Sequence, residues 1–570
     1  MPVHYKVTAP RPATHRFHVE ARFPAGCREL VFASWAPGSY LMREFARNVR
    51  DVHAHHAGVP VKVERASRNT WRVATDGPFT LEYDVYAREK SVRTPFCDED
   101  LRFFLPSNLL AHPTAAHPSV LEVEVPAGHV GVCPLGPAVA GPGLARWEAA
   151  DVDTLHDSPV AVAAFQHTRF EVDGVEHHHW IEPRHDGDVA KMNDDLRRVV
   201  VAARDLFGGL PYPRYDFVTL LANKGHGGLE HKDGCVLLRP RLSFRDPKDY
   251  EEFVTLAAHE HFHAWNVKRI HPDTLGPRFD YAREHYTRDL WWLEGGTVYY
   301  EERIAFRAGL VSKERHLERL AELAQKVLSI PGRRHQSLED SSFDAWIKLY
   351  RPGEDSVNST ISYYLKGAVV MWALDLELLR RTGGKHGTDT LMRALWERWG
   401  RHGKGYPERE GLRALAREIA GGGDWDRWWD WHVSGTSDVA LVEALDAAGL
   451  DATWGTPKAG SWLGVDLSER MVVESVREDG PAADVLAPGD ELLAVDDLRV
   501  ASSAALADRL KGTAPGTDLA LLVARDAVIL RRAVRTAAHP RSDLKITERT
   551  GIDDGRLLVR SAWTGASGSP

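Results

Sequence analysis

The sequence predicts a multidomain protein: an antiparallel β domain, then an α+β domain continuing into a mostly helical region, then a small β-rich module near the C-terminus. Three observations predict it. The chain has 570 residues, enough for three or four domains at ~100–200 residues each. Up to about residue 165 it runs in short alternating stretches such as Lys62-Val63-Glu64 and Leu121-Glu122-Val123-Glu124-Val125, broken by turns such as Pro37-Gly38. A period of two belongs to half-buried antiparallel strands. After Tyr250 the pattern turns helical and remains so to roughly residue 435, before the Gly-rich passage Gly455 to Gly460 opens the last module.

The elements follow in order. The boundaries are 1–165, 166–440 and 458–538, with a tail over 539–570. His53, His55 and His56 fall in a polar, loop-like stretch of the first domain. From about residue 166 a strand ends near Trp180-Ile181, and an amphipathic helix spans Val189 to Phe207. Strands follow at Phe217–Leu221 and Cys235–Leu238. His177, His178 and His179 are consecutive in the first of these strands, where neighbours face opposite sides, which argues against a three-ligand site there. Trp425, Trp428, Trp429 and Trp431 recur at helical spacing and belong to the core. The last thirty residues, ending Gly565-Ala566-Ser567-Gly568-Ser569-Pro570, are expected to be frayed. No internal repeat is present.

Composition narrows the function classes. A net charge of −9 gives no electrostatic reason to expect nucleic acid or an anionic membrane as partner. The start, Met1-Pro2-Val3-His4-Tyr5-Lys6, lacks the apolar core of a signal peptide. No later stretch reaches the ~18–20 apolar residues of a membrane span. The four cysteines, Cys27, Cys97, Cys133 and Cys235, have no CxxC spacing, so neither a disulfide framework nor a thiolate metal site is indicated. A cytoplasmic location fits these features.

His259-Glu260-His261-Phe262-His263 is the most informative motif. On a helix, positions i and i+4 share a face, so His259 and His263 can hold one metal ion while Glu260 reaches a water bound to it. His261 points elsewhere. The run before the motif, Phe253 to Ala258, is apolar and helix-compatible, as a buried helix presenting ligands to a cleft should be. A catalytic zinc needs a third protein ligand. Glu284, Asp289, Glu294, Glu301 and Glu302 are the acidic candidates downstream, and spacing does not choose among them. Glu294 stands amid large apolar residues, where a buried carboxylate needs a partner. A metal ion would serve, and so would a nearby arginine. Glu284 is the runner-up.

The motif, followed by Trp265-Asn266-Val267-Lys268-Arg269-Ile270 and by Trp291-Trp292-Leu293-Glu294-Gly295-Gly296-Thr297-Val298-Tyr299-Tyr300, resembles the glycyl aminopeptidase family. These are gluzincin zinc peptidases related to the alanyl and leucyl aminopeptidases. The likeness extends to Trp35-Ala36-Pro37-Gly38-Ser39-Tyr40, Arg43 to Arg47, Gly227-Gly228-Leu229-Glu230-His231 and Tyr363-Tyr364-Leu365-Lys366-Gly367-Ala368. The order is the expected one over most of residues 30 to 375. One departure is clear: the broader aminopeptidase pattern places its glutamate ligand where Ala282 stands here, so Glu294 rests on local motif and not on spacing.

The resemblance implies a thermolysin-like catalytic domain with one zinc ion per chain on His259, His263 and Glu294. It implies Glu260 as general base and Tyr364 as hydroxyl donor to the oxyanion. Glu230, after the close-approach glycines Gly227 and Gly228, would bind the α-ammonium of a peptide with a free N-terminus. A preference for glycine and alanine is implied as well. Leu463-Gly464-Val465 and the segments Gly480 to Ala483 and Leu486 to Leu493 resemble a PDZ domain of the kind attached to bacterial proteases, over about 458–538. Its carboxylate loop Leu463, Gly464, Val465 and a helix over Ser503 to Leu510 would receive a peptide C-terminus. Internal docking or subunit contact is the other reading of that module. Two further functional readings stay open: a zinc endopeptidase without amine anchoring, and a peptide-binding protein with a structural metal site.

Overall fold

A computed structural model describes residues 1–565 apart from Pro142, Pro277 and Arg541. It divides into two units. The first comprises Met1–Tyr286, Arg303–Val311 and Met392–Pro407; the second comprises Thr287–Glu302, Ser312–Leu391 and Glu408–Pro570.

In the first unit the alternation read from the sequence becomes an eight-stranded sheet. Strand Val3–Thr8 alternates buried and exposed residues, and Arg16–Phe23 and Phe79–Tyr86 continue beside it. Tyr5, Phe17, Phe23, Phe32, Phe79 and Tyr83, all nearly inaccessible, form the core beneath. One pairing departs from the antiparallel expectation: Val3–Thr8 runs parallel to Ser119–Glu124. His53, His55 and His56 lie on strand Val49–His56 and not in a loop.

A second sheet in this unit orders its strands Gln166–Val172, Val175–Ile181, Arg214–Ala222, Gly234–Pro240 and Gly227–His231. The two central pairings are parallel and the outer two antiparallel. Helix Val189–Phe207 supplies a crossover. Asp188 caps it by accepting from Ala190 and Lys191 N–H, and Gly208, at φ 76°, ends it. Met192, Leu196, Val199, Val200, Ala203 and Phe207 form its buried stripe. Helix Pro247–Phe262 is capped by Asp246, begins on proline, and is buried continuously from Phe253 onward. The edge strand Gly227–His231 and the helix end at His259 to His263 together frame the site.

The second unit is mainly helical and is organised on Tyr363–Arg381. The π-helical turn Trp291–Gly295 lies against this helix, meeting it closely at Gly295 and Gly367. A Cβ on Gly295 would lie 2.6 Å from Gly367 Cα, and one on Gly367 would lie 2.7 Å from the Trp291 carbonyl. The C-terminal module has strands Val465–Leu467, Val473–Val476, Glu491–Val495 and Asp518–Arg525 with helix Ser503–Lys511. Its core is Leu463, Met471, Val473, Leu492, Val495, Leu519, Leu521 and Val523. Asn358 pairs with the backbone of this module, donating to Val476 O at 2.8 Å and accepting from Glu478 N–H at 2.9 Å.

The expected tail is corrected. Leu544–Glu548 pairs with Leu450–Trp454, and Asp554–Thr564 is a helix whose Trp563, 3% exposed, packs on Trp372 and donates to Tyr299 Oη at 2.9 Å. The apolar residues Val559 and Trp563, four apart, were the missed signal. Residues 566–570 lie outside the described residues. Among the described residues no helix is long and apolar enough to cross a membrane. All four cysteines are free and buried. Of the tryptophans assigned to the core, Trp425 and Trp429 are buried, whereas Trp431 is 46% exposed.

Candidate functional site

In the first unit, His259 and His263 lie on one face at the end of helix Pro247–Phe262, and their Nε2 atoms stand 3.0 Å apart. His263 Nδ1 lies 2.6 Å from the Asn266 carbonyl. A carbonyl only accepts, so the proton sits on Nδ1 and Nε2 keeps its lone pair, the tautomer a metal ligand requires. His261 faces away. Its Nε2 is 2.5 Å from Tyr212 Oη, which is 3.0 Å from His177 Nε2, and this buried chain ties the helix to the sheet. The neighbouring His179 bonds Thr219 instead, so the three consecutive histidines form no common site.

Glu260 is 4% exposed. Burial pushes its carboxyl up to about 7, against the pull of His259 and His263 and with a further push from Glu230. The edge strand comes so close that a Cβ on Gly228 would lie 2.0 Å from Glu260 Oε1. That is the physical reason for glycine there. Arg93, which sequence reasoning missed, donates to Gly228 O at 3.0 Å and steadies this edge.

Glu230 is 3% exposed, and its Oε1 has no hydrogen-bond partner among the described residues. Ligand atoms of Glu230, Glu260 and His263 all lie within 4.8 Å of one another. Gly38, at φ 81°, packs over the Glu230 carboxylate, and a Cβ there would lie 2.5 Å from Oε1. Two more residues had no assigned role in the sequence. Lys268 Nζ is 2.8 Å from Asp157 Oδ1 and 3.7 Å from Glu230 Oε1. Burial would raise the Asp157 carboxyl, but Lys268 and the hydrogen bond from His231 hold it well below the usual carboxylate range. Lys268 lies within the segment Trp265 to Ile270, whereas nothing in the sequence around Asp157 marks it.

In the second unit, Glu294 is 2% exposed within the π-helical turn. Of the other acidic candidates, Glu302 is held by Arg319 at 2.7 Å, and Glu284 is partly exposed. Tyr363 is fully buried, whereas Tyr364 is partly exposed and its hydroxyl is 3.0 Å from that of Tyr350. Burial, the charge of Glu294 and the neighbouring tyrosines raise the Tyr364 phenol well above its ordinary value, so it stays a proton donor. In the C-terminal module Gly464 takes φ 78° and packs on Gly480. The carbonyls of Leu463 and Gly464 accept from Ala482 and Arg477 N–H at 3.0 and 2.8 Å, which fixes the loop.

Three family models match the chain: the Peptidase M61 N-terminal domain over residues 4–164, the M61 glycyl aminopeptidase over 252–370, and a PDZ domain over 461–536. No curated protein matches. Among solved structures, an aminopeptidase N family protein from Idiomarina loihiensis is similar at 25% identity and TM-score 0.90, over 98% of this chain and 99% of that one. An M1 zinc metallopeptidase from Deinococcus radiodurans shares the fold at 14% identity and TM-score 0.50, over 77% of this chain and 95% of that one.

Proposed function

We propose that this peptidase, which carries the N-terminal and catalytic domains of the M61 glycyl aminopeptidases together with a PDZ domain, removes the first residue from peptides with a free N-terminus, glycine and alanine above all. The observation that carries the exopeptidase reading is the short span from Glu230 to Glu260. With their ligand atoms within 4.8 Å, an ammonium held at Glu230 brings its own residue's carbonyl to Glu260, leaving room for one residue between anchor and base.

One zinc ion per chain is assigned to His259, His263 and Glu294, two imidazoles and a carboxylate of a kind able to hold a metal ion. When bound, zinc supplies Lewis acidity to a water and to the scissile carbonyl. The chain's own residues do the rest. His263 is held in the ligating tautomer by Asn266. Glu260 takes the proton from the attacking water and passes it to the leaving amine. Tyr364 donates its hydroxyl proton in a hydrogen bond to the oxyanion. Glu230 fixes the α-ammonium through a charge-assisted hydrogen bond, which an acylated N-terminus cannot make. The PDZ groove, framed by Leu463, Gly464, Val465 and helix Ser503–Lys511, is assigned to a peptide C-terminus.

The test is cleavage of a short glycine-started peptide beside its N-acetylated twin, with and without a zinc chelator. Chelator-sensitive release of glycine from the free peptide alone is the expected result. Equal cleavage of both overturns the exopeptidase reading in favour of an endopeptidase, and no cleavage by zinc-loaded protein favours a binding role.

A further inference from the structure

We infer that Asp157 and Lys268 form part of the amine subsite, as a restrained counter-charge that leaves Glu230 to be completed by the positive charge of a primary α-ammonium. This inference rests on the reading of Glu230 as the amine anchor.

Lys268 Nζ hydrogen-bonds Asp157 Oδ1 at 2.8 Å and stands off Glu230 Oε1 at 3.7 Å, beyond hydrogen-bond range. Asp157 is itself pinned: its Oδ2 accepts Lys232 N–H at 2.8 Å, and its Oδ1 lies 3.3 Å from His231 Nδ1. By formal charge Asp157, Lys268 and Glu230 carry two negative charges and one positive. Glu230 is the member whose Oε1 has no hydrogen-bond partner among the described residues, although it is 3% exposed. A buried carboxylate in that position lacks both a full counter-charge and a donor. An α-ammonium brings both; an N-acyl amide or an α-hydroxyl group brings no charge.

Asp157 thus has a definite task. Without its charge, Lys268 is released to pair directly with Glu230 and to compete with the substrate for it. The subsite's selectivity for amines is set by a residue that does not touch the amine.

The experiment uses the full-length, zinc-loaded protein and compares Asp157→Asn, Glu230→Gln and the double variant Asp157→Asn with Lys268→Met. KM and kcat are measured separately on a glycine-started peptide, and inhibition by glycinamide is measured against its hydroxyl counterpart, glycolamide. Asp157→Asn is expected to raise KM about tenfold or more, the range of one charge-assisted hydrogen bond, with kcat near the parent value. The preference for glycinamide should fall in proportion, and the double variant should recover a large part of both, which a merely structural role for Asp157 would not give. A parent-like KM and glycinamide preference in Asp157→Asn overturns the inference, as does a double variant no better than the single one. Because the two inhibitors are compared within one sample, partial misfolding changes the amount of active protein and not their ratio. A parent-like KM in Glu230→Gln would refute the anchor reading itself, a distinct outcome.

Discussion

Replacing Gly228 by alanine tests the packing of the proposed base directly. The added carbon would lie 2.0 Å from Glu260 Oε1, 2.3 Å from Cδ and 2.5 Å from Cγ. Non-bonded heavy atoms settle at about 3.5 Å, so the carboxylate must retreat by more than ~1 Å. The strand accepts the change, because Gly228 pairs with Leu237 in a regular antiparallel register. Glu260, at 4% exposure, has little open space to retreat into. A misplacement of ~1 Å costs on the order of 10² in rate, and a general base is worth roughly 10²–10⁴. Gly228→Ala should therefore lose about 10²–10³ in kcat and approach Glu260→Gln, with zinc retained in both. Overpacking should cost about 1–3 kcal/mol of stability. Steady-state kinetics on a glycine-started peptide, with metal content and a denaturant melt on the same sample, separates these effects. A parent-like kcat at full metal content would refute the reasoning.

Tyr364→Phe should lower kcat by roughly 10²–10³ with little change in KM, the cost of one oxyanion donor; a large rise in KM instead would make it a binding residue. Trp563→Ala should destabilise the protein by about 3–5 kcal/mol, read as a shift in the urea midpoint, because Trp563 is 3% exposed and packs on Trp372. A frayed tail would give no shift. Acid should weaken the fold through its buried histidines. Burial lowers His112 and His177 to about 4 and His179 to about 3, below an unfolded value of about 6.5. The unfolded chain then binds more protons as pH falls, so stability present above pH ~6.5 is lost toward pH ~4, at up to ~1.4 kcal/mol per pH unit for each group. Equal urea midpoints at about pH 7 and about pH 5 would contradict this.

The sequence carried what local pattern encodes. The alternation of Leu121 to Val125 and the stripe of Val189–Phe207 are physical periodicities, and strand Ser119–Glu124 and the helix appear where those patterns lie. HExxH is a spacing on one helix, so the shared face of His259 and His263 could be read directly. Asp157, Lys268, Arg93 and Gly38 could not be read that way, because each acts by proximity to residues distant in sequence, 111 positions for Asp157 and Lys268 and 135 for Arg93 and Gly228. The C-terminal helix is hard to read because Gly, Ser and Pro dominate the extreme end, while only Val559 and Trp563 mark its buried face. The parallel pairing of Val3–Thr8 with Ser119–Glu124 is a matter of topology, which alternation does not report.

The glycine contact between the Trp291–Gly295 turn and helix Tyr363–Arg381 has a consequence for catalysis. With Gly295 and Gly367 backbone to backbone, the carriers of Glu294 and Tyr364 cannot slide past one another without a steric clash, and they cannot part without exposing packed backbone. A carboxylate and a phenol on a common rigid mount are preorganised: the dipoles that would meet a developing charge are oriented while the chain folds, and no reorientation is left for the moment of reaction. A larger residue at either position would loosen that mount. The damage would be expected in the rate of the chemical step before it showed in the affinity for substrate.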